Sequence, residues 1–228
     1  MRPRLKRNRV LGVFGIGGHG RECSYVAEQT GYTKHDMVFV VDPEFLYGPS
    51  TLHGIPVISS EQFSLKHPEA PLVLGVGNPR SRRNLARRFQ ALGHSFPTLV
   101  SPRAAVHPSA AIGEGCIIFQ HATVSLDVEL CGHNHLNTHS SISHDSILGC
   151  FSTLGPHAAI CGHVKVGDQV EVGAAACIIN GTGQFPIEIG SGVVIGASAC
   201  VIRSVGPNEL VVGVPATSLR SLPNAIGD

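Results

Sequence analysis

The sequence predicts two architectures on one chain: a small parallel α/β domain over residues 1–102 and a parallel β-helix of hexapeptide repeats over residues 103–228. Three observations carry this division. Up to about Val100, short apolar runs alternate with helical ones, as strands joined by helical crossovers do. The glycine-rich turn Gly15-Ile16-Gly17-Gly18-His19-Gly20 stands where a first strand hands over to a first helix. Past Pro102 the helical period disappears and an aliphatic residue returns every six positions.

In chain order, residues 10–15 (VLGVFG) and 37–42 (MVFVVD) read as strands, with a helix between them closed by Gly31. Residues 72–77 (LVLGVG) give a third buried strand. Residues 80–93 then give a helix ending at Gly93, and a short strand follows near Val100. Alternating strands and helices imply right-handed crossovers and therefore a parallel sheet. Beyond this, Val106, Ile112, Ile118, Val124, Leu130, Leu136, Ile142, Leu148, Leu154, Ile160, Val166, Val172 and Ile178 follow one another at a constant spacing of six. Such a period marks a coil of three hexapeptides per turn, each aliphatic pointing into a shared core. Glycines just after the aliphatic, as in Gly113 and Gly167, are expected to serve the tight corners. The phase breaks once: Ile189 follows Ile178 by eleven positions, so residues 180–188 should loop out of the coil.

Composition narrows the function. Seventeen Lys and Arg against sixteen Asp and Glu leave no global attraction to nucleic acid or an acidic membrane, and no apolar run is long enough to span a bilayer. Five basic residues in the first nine, before an apolar run, imitate a secretory leader; the run dissolves into glycines, and the lead reads as a solvated arm. Seven cysteines without a C-x-x-C pair read as reduced, mostly buried residues of a cytoplasmic protein. The arginines at 80, 82, 83, 87 and 88 lack interleaved aromatics and read as a solvated helix face, with no nucleic-acid partner.

Taken in order, the GIGGHGRE of residues 15–22, the GVGN of 75–78, the hexapeptides, the SHD of 143–145 and the VVGVPA of 211–216 resemble the hexapeptide-repeat sugar O- and N-acyltransferases, of the sialic acid O-acetyltransferase and bacillosamine or perosamine N-acetyltransferase type. The resemblance implies a Rossmann-like N-terminal domain, a left-handed β-helix, a homotrimer, acetyl-CoA as co-substrate and a nucleotide-linked amino sugar as acceptor. It places Gly17, Gly18, His19, Val41, Asp42 and Gly77 at the sugar nucleotide and Asn137 at the sugar. It places Thr153, Gly162 and Ala174 at acetyl-CoA, with the Gly162 N–H facing the developing oxyanion, and it makes His144 the general base with Asp145 raising its basicity. Relatives often carry histidine where this chain has Thr153.

Competing readings are weaker. Gly15, Gly17, Gly20 and Asp42 satisfy a dinucleotide fingerprint, but the residues before the repeats supply one mononucleotide half where a dinucleotide needs two. His139 and His144 have the spacing of zinc ligands in γ-class carbonic anhydrases, but Arg103 stands where a third histidine belongs, so no metal is expected. Attack by a hydroxyl on a sialic-acid-like sugar, or a non-catalytic nucleotide-sugar scaffold, would use the same frame. His144 lies two positions past the inward Ile142 and points away from the core. Asp145, as its chain neighbour, can reach that imidazole only if the backbone bends between them.

Overall fold

The computed structural model describes residues 10–219; the basic lead of residues 1–9 lies outside them. The chain divides into two compact units, one ending at Leu99 and the next beginning at Val100.

The first unit contains strands β1 (Leu11–Phe14), β2 (Met37–Val41), β3 (Thr51–Leu52), β4 (Ile55–Ser59) and β5 (Leu72–Leu74), with helices α1 (Gly18–Gln29), α2 (Ser60–Lys66) and α3 (Pro79–Ala91). The sheet order is β3-β4-β2-β1-β5, parallel except for the short β3 edge. Every residue of β1, β2 and β5 is buried, as expected of parallel strands covered on both faces. Because β2 and β5 flank β1 on opposite sides, the chain reverses direction between β1 and β5, and their carboxyl ends open the crevice where such sheets bind ligands. Strand β4 and helix α2 fall in a stretch where the hydrophobic pattern specifies nothing. Their signal is a capping box instead: Ser59 Oγ accepts from the Gln62 N–H while Gln62 Oε1 accepts from the Ser59 N–H.

The second unit is a three-faced parallel coil. Its first face carries Thr123–Val124, Ser141–Ile142, Ala159–Ile160 and Cys177–Ile178; its second, Glu129–Leu130, Ile147–Leu148 and Val164–Val166; its third, His135–Leu136, Thr153–Leu154 and Glu171–Val172. Neighbouring strands on a face pair at a register of 18 residues, as in Val124 with Ile142 and Ile142 with Ile160, so one coil is three hexapeptides. From Ile118 to Ile178 the predicted aliphatics are at most 3% exposed, while Val106 and Ile112 in the first coil are partly buried. Each buried side chain contributes roughly 1.5–3 kcal/mol, so the stack is the unit's main source of stability.

A second interior row lies two residues before each aliphatic and includes Ala122, Val128, Asn134, Ser140, Ser146 and Ser152, all at most 1% exposed. Asn134, Ser146 and Ser152 are satisfied by the next coil, and Ser140 Oγ donates to the Asn137 carbonyl of its own. Ser146 Oγ donates to the Cys161 carbonyl at 3.0 Å and accepts from the Val164 N–H at 3.1 Å.

The corners overturn the expected role of glycine. Residues 121, 127, 133, 139, 145, 151, 157, 163, 169 and 175, none of them glycine, all have φ between 51° and 63°. Histidine and aspartate tolerate this left-handed geometry better than most residues, and they hold seven of the ten positions. The glycines after the aliphatics are needed for contact between coils: a Cβ on Gly113 would lie 2.2 Å from the Cys131 carbonyl oxygen. The predicted loop is an insertion of five residues, since the register rises from 18 to 23 between Lys165 and Glu188 and between Cys177 and Cys200.

Two sequence expectations are corrected. Arg82 is 0% exposed instead of solvated, because its guanidinium donates to the carbonyls of Val76 at 2.8 Å and Gly77 at 2.9 Å. Only Cys23 and Cys116 are buried; Cys131 is exposed and the other four are half-buried, because strand positions beside the inward aliphatic face outward.

Candidate active site

The corner joining the first face to the second gathers His144, Asp145, Gly162 and His163. His144 and Asp145 form the turn after strand Ser141–Ile142, and Asp145 takes the left-handed conformation at φ 56°. This is the bend the sequence requires. It swings the carboxylate back to the preceding side chain, where Asp145 Oδ2 lies 2.7 Å from His144 Nδ1. With the carboxylate ionised, a neutral His144 carries its proton on Nδ1 and keeps a lone pair on Nε2. Both side chains are about half exposed, so the pair opens to solvent and not to the core.

One coil further, the same corner holds Gly162 and His163. Gly162 is buried beneath the imidazole: a Cβ there would stand 2.6 Å from His144 Cε1 and 2.7 Å from Nε2. His163 Nε2 lies 3.8 Å from the same Asp145 Oδ2, and the two imidazoles meet edge to face with centroids 5.2 Å apart. These three groups are the set whose donor atoms converge closely enough to hold a metal ion among the described residues, all within 4.8 Å. His139, the partner considered for a zinc pair, belongs elsewhere: it stacks between His121 and His157 at 4.8 Å on another corner.

The remaining β-helix residues are spread out. Asn137 begins the corner between third and first faces, where its amide nitrogen donates to the Leu154 carbonyl at 2.8 Å. Ala174 is exposed on that same corner two coils later, and Thr153 is buried on the third face. Gly162 alone among them shares the His144 corner.

In the first unit, Gly17 caps α1 with no side-chain hydrogen bond, whereas α3 is capped by Asn78. Nothing lies within 4 Å of a Cβ built on Gly17 or Gly18, so the approach to this turn is open. His19 sits on the first turn, its pKa lowered to about 4 by burial and then by the Arg82 guanidinium, so it is neutral at pH 7. Arg82 supports Gly77 from beneath. The Val41 side chain is core, which leaves only its backbone to a ligand.

Asp42 closes β2. Burial raises its pKa, but hydrogen bonds from Arg88 and Ser60 and the Arg88 charge outweigh that and hold it below the usual carboxylate value. Arg88 grips both carboxylate oxygens, at 2.7 and 3.1 Å, beside a cavity of about 420 Å³ lined by Asp42, Glu44, Ser60, Glu61, Arg88 and Phe89. Sequence reasoning missed Arg82, Arg88, Ser60 and His163 as site residues. The one advance signal was arithmetic: residues 18 apart share a corner, which puts His163 directly above Asp145.

Comparison with known proteins follows this geometry. The family model described as the PglD N-terminal domain matches residues 10–89. The chain is 29% identical over 185 residues to GDP-perosamine N-acetyltransferase of Escherichia coli O157:H7, covering 78% of this chain and 81% of that one. Among solved structures, the acetyltransferase domain of PglB from Neisseria gonorrhoeae, in complex with acetyl coenzyme A, is 32% identical with a TM-score of 0.83. The match covers 93% of this chain and 100% of that one. PerB from Caulobacter crescentus, in complex with CoA and GDP-perosamine, is 26% identical with a TM-score of 0.82 over 92% of this chain and 97% of that one. The architecture is therefore a Rossmann-like unit followed by a left-handed parallel β-helix.

Proposed function

The chain belongs to the hexapeptide-repeat sugar N-acetyltransferases, and we propose that it carries an acetyl group from acetyl-CoA to the amine of a nucleotide-linked amino sugar. The observation that carries this reading is the His144–Asp145 pair, half exposed, with Nδ1 committed to the carboxylate at 2.7 Å and Nε2 left to accept a proton. The acceptor amine attacks the thioester carbonyl carbon. His144 Nε2 takes the proton the nitrogen loses, and the tetrahedral intermediate collapses by expelling the CoA sulfur, which receives that proton. One C–N bond forms and one C–S bond breaks, giving an amide and free CoA thiol. No acyl-enzyme is needed, since a thioester is already an activated acyl donor. Asp145 fixes the tautomer and stabilises the imidazolium that forms. The relatives compared act on amino groups, which favours N- over O-acetylation.

In this reading the sugar nucleotide's diphosphate sits on the open N-terminus of α1 at Gly17 and Gly18. A neutral His19 offers a hydrogen bond there, Asp42 and the Val41 backbone reach the ribose or base, and Gly77 lines the opposite side. Asn137 contacts the sugar. Acetyl-CoA runs past Gly162, Ala174 and Thr153, with the Gly162 N–H toward the oxyanion. The β-helix positions are scattered over different corners, faces and coils, which supports a homotrimer in which paired prisms form the donor groove. A role in surface-glycan synthesis and a cytoplasmic location complete the proposal. No helix among the described residues is long and apolar enough to cross a membrane.

The test is thiol release from acetyl-CoA in the presence of GDP-perosamine and of UDP-linked 4-amino-dideoxy sugars. Turnover that depends on the amino sugar, with an amide product by mass spectrometry, is expected. Thiol release indifferent to the acceptor would overturn the reading.

A further inference from the structure

His163 is not required by the mechanism above, yet three features converge on it. Its Nε2 faces the Asp145 oxygen that His144 uses, at 3.8 Å, an ion-pair distance and not a hydrogen bond. Its ring stands edge-on to that of His144, with an interplanar angle of 87°. The five-residue insertion that breaks the hexapeptide phase lands on this corner and ties it down. The Gly181 N–H donates to the Gly162 carbonyl at 3.0 Å and the Ile187 N–H to the His163 carbonyl at 3.2 Å. The fit is close: a Cβ on Gly181 would lie 2.4 Å from the His163 carbonyl oxygen, and one on Gly183 would touch His163 Cε1 at 3.8 Å. The interruption in an otherwise constant period thus buttresses the imidazole beside the catalytic carboxylate.

We propose that His163 is a positioning residue for the base: from the next coil it confines the Asp145 carboxylate, so that Oδ2 stays on Nδ1 and Nε2 stays available to the acceptor. Asp145 is about half exposed, and without a second neighbour its carboxylate could rotate into water and release the imidazole. The proposal rests on the acetyl-transfer reading, in which His144 is the base.

His163→Ala, His163→Gln, Asp145→Asn and the double variant Asp145→Asn/His163→Ala are compared with the parent enzyme. Alanine is compatible with the left-handed corner, since Ala175 occupies an equivalent one at φ 56°. Loss of roughly tenfold in kcat is expected for His163→Ala, within the range seen for directly coupled neighbours, with KM for both substrates within about twofold. His163→Gln, which can still place an N–H toward Asp145, should recover much of that loss. Adding His163→Ala to Asp145→Asn should cost nothing further, because the carboxylate through which His163 acts is already gone. A purely structural role would instead give additive losses. A readout independent of turnover is the long-range proton–nitrogen NMR spectrum of His144. The Nδ1–H tautomer should dominate in the parent and decline in His163→Ala. Additive double-variant losses, or an unchanged His144 tautomer, would overturn the proposal. So would loss of parent activity to a chelator with recovery on zinc, which would make the three groups metal ligands. If the parent enzyme itself fails to acetylate an amino sugar, the function is wrong while the NMR comparison still judges His163.

Discussion

The two units obtain function from sequence by opposite means. In the β-helix, the residues that fold the chain and those proposed to perform chemistry are different residues: core positions recur every six, and the corners between them accept almost anything that tolerates a left-handed backbone. His144, Asp145 and His163 sit on such corners, outside the aliphatic stack. In the α/β unit one short turn holds both kinds: Gly17 and Gly18, proposed for the phosphate, have open space around them, while Gly20 beside them packs against backbone. Gly20 holds α1 against the first turn, with a hypothetical Cβ 2.1 Å from the Gly15 carbonyl oxygen, and Gly75 would place a Cβ 2.6 Å from Gly20 Cα. The turn that would receive the phosphate is therefore also the junction of sheet and helix. Changes at the coil's chemical corner should separate activity from stability, and changes around the glycine turn should not.

The largest expected effect tests the first half. His144→Ala should lower kcat by about 10²- to 10⁴-fold, the usual worth of a general base, or roughly 3–5 kcal/mol of barrier. Its melting temperature should stay within about 2 °C of the parent, since the side chain is about half exposed and outside the core. A folded variant with parent activity would remove His144 from the mechanism; a grossly destabilised one would break the claimed separation.

A matched pair of glycine substitutions sharpens the contrast. At Gly162 the obstacle to a Cβ is the His144 ring, which can swing aside. Gly162→Ala should therefore fold normally and lose up to about 10²-fold in kcat through misplacement of the base. At Gly20 the obstacle is backbone, which cannot move without parting helix from sheet. Gly20→Ala should cost about 3 kcal/mol or more of stability, together with nucleotide binding. Urea unfolding and calorimetry on both variants decide the matter, and equal stabilities would show that the units do not differ in this way.

A smaller effect concerns acid. His19 titrates at about 4 when folded against 6.5 in the unfolded chain, through burial and then the Arg82 charge. Above the unfolded value neither state binds the proton and His19 contributes nothing. As pH falls from 6.5 to about 4 the unfolded chain takes it up first, so stability is lost through that window, approaching ~3 kcal/mol at its lower end. His19→Gln should flatten the fall in urea midpoint between pH 6.5 and 4.5. A variant that tracks the parent at every pH would deny the buried, neutral histidine.

The same contrast decides what could be read in advance. The inward aliphatics from Ile118 to Ile178 were legible because one spacing repeats without a miss and burial in a coil depends on that spacing alone. The reach of Asp145 to His144 was not, because it depends on a left-handed φ that sequence does not display. In the α/β unit the strands at Leu11, Met37 and Leu72 were legible from apolar runs, whereas Arg82 was misread: five arginines in one helix look solvated, and the Val76 and Gly77 carbonyls that receive its guanidinium are not visible in the sequence. Strand β4 and helix α2 escaped because their signal was a capping box and not a period. Periodic cores announce themselves, while side chains recruited by a particular loop do not.

The smallest expected effect is the most discriminating for the α/β unit. Arg88 holds Asp42 by both carboxylate oxygens, yet its side chain is 43% exposed, so solvent screening leaves the pair worth no more than about 1 kcal/mol. The sign follows from Asp42, whose folded pKa is lowered: the stabilisation is present above the unfolded value of 3.8 and is lost as pH falls through the folded one. Arg88→Met keeps an apolar stem against Phe89, over which the guanidinium now sits at 4.5 Å, and removes the charge. At pH 7 the variant should lose under about 1 kcal/mol, less in high salt, and the deficit should vanish in strong acid. Binding should respond more. If Asp42 meets the nucleoside, freeing its carboxylate alters the orientation Arg88 imposes, so KM for the nucleotide sugar should rise several-fold while kcat and KM for acetyl-CoA stay near the parent. A change in kcat without a change in KM would place Arg88 and Asp42 outside the nucleotide site, and this unit's specificity would then have to come from the glycine turn alone.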